Sequence, residues 1–106
     1  MRNSECGVEV MRKHDFTNCT GTLWSTTYHN GGKRYCVFSY GPHFPLWVFV
    51  FDQEQWYGNR GKCSRTSTVH HNLTRPSGNI KWLSREQMQT LANDGYHALG
   101  KMRVLG

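Results

Sequence analysis

The sequence predicts an α+β domain: an antiparallel sheet of about four to six strands packed by one C-terminal helix. Three observations predict it. Segments rich in Thr, Val, Phe, Tyr and Trp recur between Gly, Pro and Asn punctuation from residue 22 to residue 70. A capping box opens a stripe of apolar residues at helical spacing from Ser84 onward. The 106 residues are 13% aromatic, the composition of a chain with a core rather than a disordered one, and they suit a single domain over 1–106.

Residues 6–12 (CGVEVMR) alternate apolar and polar and predict a short edge strand. His14 to Thr22 is a polar connection. Residues 22–29 read as a strand, Asn30-Gly31-Gly32 as a hairpin turn, and Lys33 to Tyr40 as its return strand. In that strand Tyr35 and Val37 point one way, Cys36 and Phe38 the other. Two prolines in Gly41-Pro42-His43-Phe44-Pro45 rule out a ladder and make a corner. Leu46 to Phe51 is apolar on both faces, with Leu46, Val48 and Val50 opposite Trp47, Phe49 and Phe51. A central strand is expected, or one whose second face is covered by the helix or a partner. If that face is bare, Trp47, Phe49 and Phe51 form a homodimer patch.

Asp52 to Gln55 is read as a turn into a short strand at Trp56-Tyr57, and Asn59-Arg60-Gly61 as another turn. Lys62 to His70 is expected to be a strand with Ser64, Thr66, Thr68 and His70 on one face. Arg75 to Asn79 is a loop. In the helix, Ser84 caps Gln87, Leu83 and Met88 make a staple, and Met88, Leu91, Ala92, Gly95 and Leu99 form the stripe, with Tyr96 at its edge. Gly100 is the expected stop, and Met102 and Val104 place a short strand in the tail.

The formal net charge is +6, from 13 Lys and Arg against 7 Asp and Glu. Such a balance favours acidic partners: nucleic acid, a phosphorylated ligand or an acidic protein face. No acidic residue lies between Glu54 and Glu86. Met1-Arg2-Asn3-Ser4-Glu5-Cys6 lacks the apolar region of a signal peptide. No apolar run approaches the roughly 20 residues of a membrane span, so a soluble cytoplasmic protein with no membrane partner is expected. Cys6, Cys19, Cys36 and Cys63 form no C-x-x-C pair and read as four free thiols.

The hydroxyl and histidine face of residues 64–70 is the sharpest local signal. Short polar groups in register suit phosphate oxygens, with Lys62, Arg65 and Arg75 adding charge. The plainer account is the solvent side of a sheet, where Thr is common. His43 and His70, with Tyr40 as a hydroxyl donor, make the minimum set for metal-free acid–base cleavage of RNA; structural histidines bonded to carbonyls are the plainer account. Cys36, Cys63, His70 and His71 are of metal-ligand type but have no common zinc spacing. No metal or cofactor is expected. Trp56 and Tyr57, near Arg60 and Lys62, suit base stacking or ordinary sheet packing.

Two segments carry a resemblance: Ser39-Tyr40-Gly41-Pro42-His43-Phe44-Pro45 and Lys62-Cys63-Ser64-Arg65-Thr66-Ser67-Thr68-Val69-His70-His71. They resemble a family of small proteins encoded by bacteriophages and other mobile elements. Those have an SYG corner, a Trp or Tyr strand, and a YS-x-TTS-[RK]-HQ segment, often followed by Arg-Pro. The match extends through Trp56, Arg75 and Pro76, over about residues 33–76. Cys63 stands where the family usually has Tyr, Val69 where it has Arg or Lys, and His71 where it has Gln.

The resemblance implies a viral or mobile-element origin. For a small stand-alone protein that means an accessory role in the host cytoplasm. The expected function is a binding protein that inhibits a host protein or ribonucleoprotein by occlusion, as an anti-CRISPR or other anti-defence protein. The expected binding surface is Arg60, Lys62, Arg65, Thr66, Thr68, His70, His71 and Arg75. The alternatives are direct DNA or RNA binding, and a small metal-independent nuclease or phosphoesterase using His70 and His43.

Overall fold

The computed structural model describes residues 3–18, 20–27, 34–41, 44–51, 53–61 and 65–94, with side chains from residue 5 onward and outside 65–67. The order is α1 (Asn3–Arg12), β1 (Leu23–Thr26), β2 (Arg34–Ser39), β3 (Pro45–Val50), β4 (Gln55–Asn59), α2 (Arg65–Leu73), β5 (Ile80–Leu83) and α3 (Arg85–Asp94). The strands form one sheet in the order β1-β2-β3-β4-β5. The first three pairings are antiparallel and β4–β5 is parallel. The fold is therefore α+β, with a five-stranded, mostly antiparallel sheet and a C-terminal helix packed on it.

The parallel step has a cause. A parallel neighbour needs a crossover long enough to return the chain to the same end of the sheet. That crossover is α2, in the segment expected to be a strand over 62–70. The correction is physical: along the helix, side chains at residues 70, 71 and 74 reach one face and meet β2 and β3. Thr and Val tolerate a helix when tertiary contacts outweigh their modest propensity penalty.

Residues 6–12 are likewise helical, not an edge strand. Cys6 and Val10 are one turn apart and both fully buried, while Val8 and Met11 face outward. Over so short a run the apolar spacing fits either period. Gly7 lets α1 approach α2 closely, because a Cβ there would sit 2.6 Å from the Leu73 carbonyl oxygen.

Both faces of β3 are covered. Val48 and Val50 join Cys36, Phe38, Tyr57, Met88, Leu91 and Ala92 on the α3 side. Trp47 and Phe49 join Tyr35, Val37, Trp56 and the α1 residues on the other. Phe49 packs against half-buried Phe51 and lies under the Lys13 ammonium at 4.4 Å. The aromatic face of β3 is thus used inside the chain, as expected of a central strand, and the condition for a homodimer patch, a bare face, is not met.

At Ser84 the capping box is present. The Gln87 amide donates to Ser84 Oγ at 3.2 Å, and the Ser84 amide donates to Gln87 Oε1 at 2.9 Å. Arg34 ties the far end of α3 to β2 by donating twice to the Ala92 carbonyl, at 3.3 and 2.9 Å. The Asn30-Gly31-Gly32 turn, the Gly95, Tyr96 and Leu99 positions of the stripe, Gly100 and the tail lie outside the described residues.

Candidate aromatic and cationic surface

Some of the residues singled out by the sequence, Ser39, Tyr40, His70 and His71, meet where α2 packs on the sheet. Ser39 ends β2, and its Oγ lies 3.0 Å from His70 Nδ1 in a buried contact. Tyr40 then turns the chain with φ of +66°, a region that bulky residues rarely occupy. Its amide donates to the Thr22 carbonyl at 2.8 Å, which holds the turn. The Tyr40 ring is 53% exposed and stacks on His70, 5.8 Å between centroids.

His71 is the second anchor. It stacks on Trp47 at 4.1 Å and 19°, and leans on Trp82 at 5.8 Å. The Trp47 indole N–H donates to Thr74 Oγ1 at 3.0 Å, and that hydroxyl donates to the His70 carbonyl at 2.6 Å. Three α2-end residues are thereby fastened to β2 and β3. Thr74 and Pro76 are buried on either side of Arg75, which is exposed with its guanidinium 5.4 Å from the Trp82 ring centroid.

Trp82 lies on β5 and was not singled out by the sequence reading, which assigned no strand to residues 80–83. Its placement depends on Gly58, opposite it on β4. A Cβ at Gly58 would come within 2.6 Å of Trp47 Cζ3 and 2.8 Å of Trp82 Cζ3. Without one, the two indoles cross over β4 at 5.5 Å.

The electrostatics differ from a cationic histidine rim. Burial pushes the His70 imidazole below its ordinary value. Burial also lowers His71, helped by the Arg75 charge and opposed by a hydrogen bond with the Asn59 backbone. Both rings are therefore neutral at pH 7, and the positive charge here comes from arginine and lysine.

The expected surface is only partly assembled. Arg60, Thr68 and Arg75 are exposed, His71 is half-buried, and His70 is 1% exposed. Arg65 and Thr66 lie in the first turn of α2, while His43, Lys62, Cys63 and Ser64 lie outside the described residues. The expected polar row does not survive over 66, 68 and 70, and Ser64 lies outside the described residues. A helix turns about 100° per residue, so positions 66 and 70 lie a turn apart and 68 on the far side. His70 faces the sheet rather than a groove. Trp56 and Tyr57, at 7% and 3% exposure, are core rather than stacking surface.

Among the described residues no three His, Cys, Asp or Glu side chains gather as a metal site. Among the same residues, no helix is long and apolar enough to cross a membrane. Comparison with protein-family models, curated proteins and solved structures returns no match.

Proposed function

We propose that this is a phage-encoded binding protein that inhibits a host macromolecule by covering it, as an anti-CRISPR or other anti-defence protein in the host cytoplasm. The observation that carries the reading is a pair of braced groups joined by α2: Tyr40 stacked on His70, and Trp82 held between His71 and Arg75. They present two exposed aromatic rings and a guanidinium on side chains already held in place. Pre-positioned aromatic and arginine groups are the residue types that dominate binding energy at protein surfaces, because little side-chain entropy is lost on contact. The six cations and no acids between Glu54 and Glu86 favour an acidic or nucleic-acid-loaded partner. The two-segment resemblance supports a phage origin.

The test is affinity capture from a bacterial host lysate, with and without nuclease. A protein partner that persists after nuclease treatment, and is lost with an Arg60→Glu/Arg75→Glu variant, is the expected result. Recovery of nucleic acid alone would replace this reading with direct nucleic-acid binding.

A further inference from the structure

Trp82 differs from the other described tryptophans. Trp47 is fully buried, Trp56 nearly so, and Trp24 stacks on Phe38. Trp82 is 38% exposed on β5, the outermost strand of the sheet on that side. Its ring is immobilised by Trp47, by His71 and by the bare backbone of Gly58 beneath it. Arg75 stands at the same ring and has no carboxylate partner among the described residues. Loop residue Ser77 fixes this corner further, its amide 3.3 Å from Met11 Sδ on α1. Exposed Arg60 lies at the end of the paired strands, its amide bonded to the Leu83 carbonyl at 3.0 Å. Behind the ring, His71 Nε2 is buried, with no hydrogen-bond partner among the described residues.

We infer that Trp82 is a stacking platform for an unpaired base of a single-stranded nucleic acid, with Arg75 neutralising the adjoining phosphate. A fixed indole offers a π-face that any base can cover, and single strands are bound by such rings set in a positive field. The charge of this part of the chain matches, since residues 55–85 include six cations and no acids. A duplex hides its base faces in the stack and cannot use the ring this way. A protein partner would use the same indole as an apolar anchor; the Arg75 guanidinium at the ring and the acid-free sequence from Gln55 to Arg85 favour the polyanion.

The inference rests on the proposed binding function and narrows its partner to a ribonucleoprotein, whose exposed single strand meets this corner. The test measures anisotropy of labelled oligothymidylate and oligouridylate, each about ten nucleotides, beside a hairpin duplex, over a salt series. Both single strands are expected to bind more tightly than the duplex. Trp82→Ala should weaken them about five- to a hundredfold, and Trp82→Phe should restore most of the loss. Arg75→Gln should lower the salt slope by about one. Because Trp82 packs on Trp47, the Phe and Gln variants keep the test meaningful if the Ala variant unfolds. Equal affinity for duplex and single strand, or unchanged binding by Trp82→Ala, would overturn the platform. No oligonucleotide binding alongside a nuclease-resistant host partner would also end it, while leaving the inhibitor reading intact.

Discussion

The two faces of the sheet are built by different rules. On the α3 face the cover is an ordinary amphipathic helix: Met88, Leu91 and Ala92 press on Cys36, Phe38, Val48 and Val50. Its polar contacts are helix ends, the Ser84 box and the Arg34 clamp on the Ala92 carbonyl. On the other face the cover is α1 and α2, and rings held by hydrogen bonds pack beside the aliphatic Val10, Leu23, Val37 and Leu46. Tyr35 donates to the His14 carbonyl at 2.6 Å, Ser39 meets His70, and Trp47 is capped by His71 and Thr74. Aliphatic burial is non-directional, so the first face chiefly supplies stability. Ring stacks and hydrogen bonds fix orientation, so the second face shapes a surface.

The largest expected difference is thermodynamic. Leu91→Ala, on the aliphatic face, should cost about 2–5 kcal/mol of unfolding free energy in a urea titration, while leaving partner contacts at Trp82 unchanged in the folded protein. If partner binding falls with it in the folded state, the two faces are not separable. Gly58→Ala should cost about 1–3 kcal/mol by overpacking. The rigid rings of Trp47 and Trp82 stand where the new methyl must go. Unlike Leu91→Ala, it should also change the near-ultraviolet circular dichroism of the tryptophans, and an unaltered spectrum would refute the close crossing.

Ser84→Ala should cost about 1 kcal/mol, confined to α3 and visible as faster amide exchange in its first turn. The smallest expected effect is acid sensitivity, which belongs to the α2 side. His70 and His71 have folded-state values below the unfolded one, so the unfolded chain binds more protons between the two. Their contribution is full above about pH 6.5 and is lost as pH falls through the folded values. Urea midpoints at about pH 7.5 and pH 5 should differ less in a His70→Gln/His71→Gln variant than in the wild type. Equal differences in both proteins would assign acid loss to other groups.

The thiols give a further contrast within the core. Burial pushes the Cys36 thiol up to about 12, so it should resist alkylation by iodoacetamide at neutral pH until the chain unfolds. Reaction in the native protein at a model-thiol rate would show that the α3 face opens.

The α3 face was legible because its signals are local. A capping box spans four residues, and the stripe Met88, Leu91 and Ala92 repeats at helical spacing, so both can be read along the chain. The strands around Tyr35–Phe38 and Trp47–Val50 were legible for the same reason: alternation and β-branching are neighbour properties. The α2 side was not. Thr66, Thr68 and His70 alternate as a strand would, and nothing nearby in sequence contradicts that reading.

Composition, charge, the central strands and the capped helix therefore follow from the chain alone, since each depends on residues within a turn or a pleat of one another. The helical state of residues 65–73, the parallel placement of β5, and the meeting of His71, Trp82 and Arg75 were decided only by tertiary contact. Those features depend on partners many residues away, above all the space left by Gly58 and the Thr74 hydroxyl that accepts a hydrogen bond from the Trp47 indole N–H. Burial against them outweighs the few tenths of a kcal/mol by which local propensity separates strand from helix.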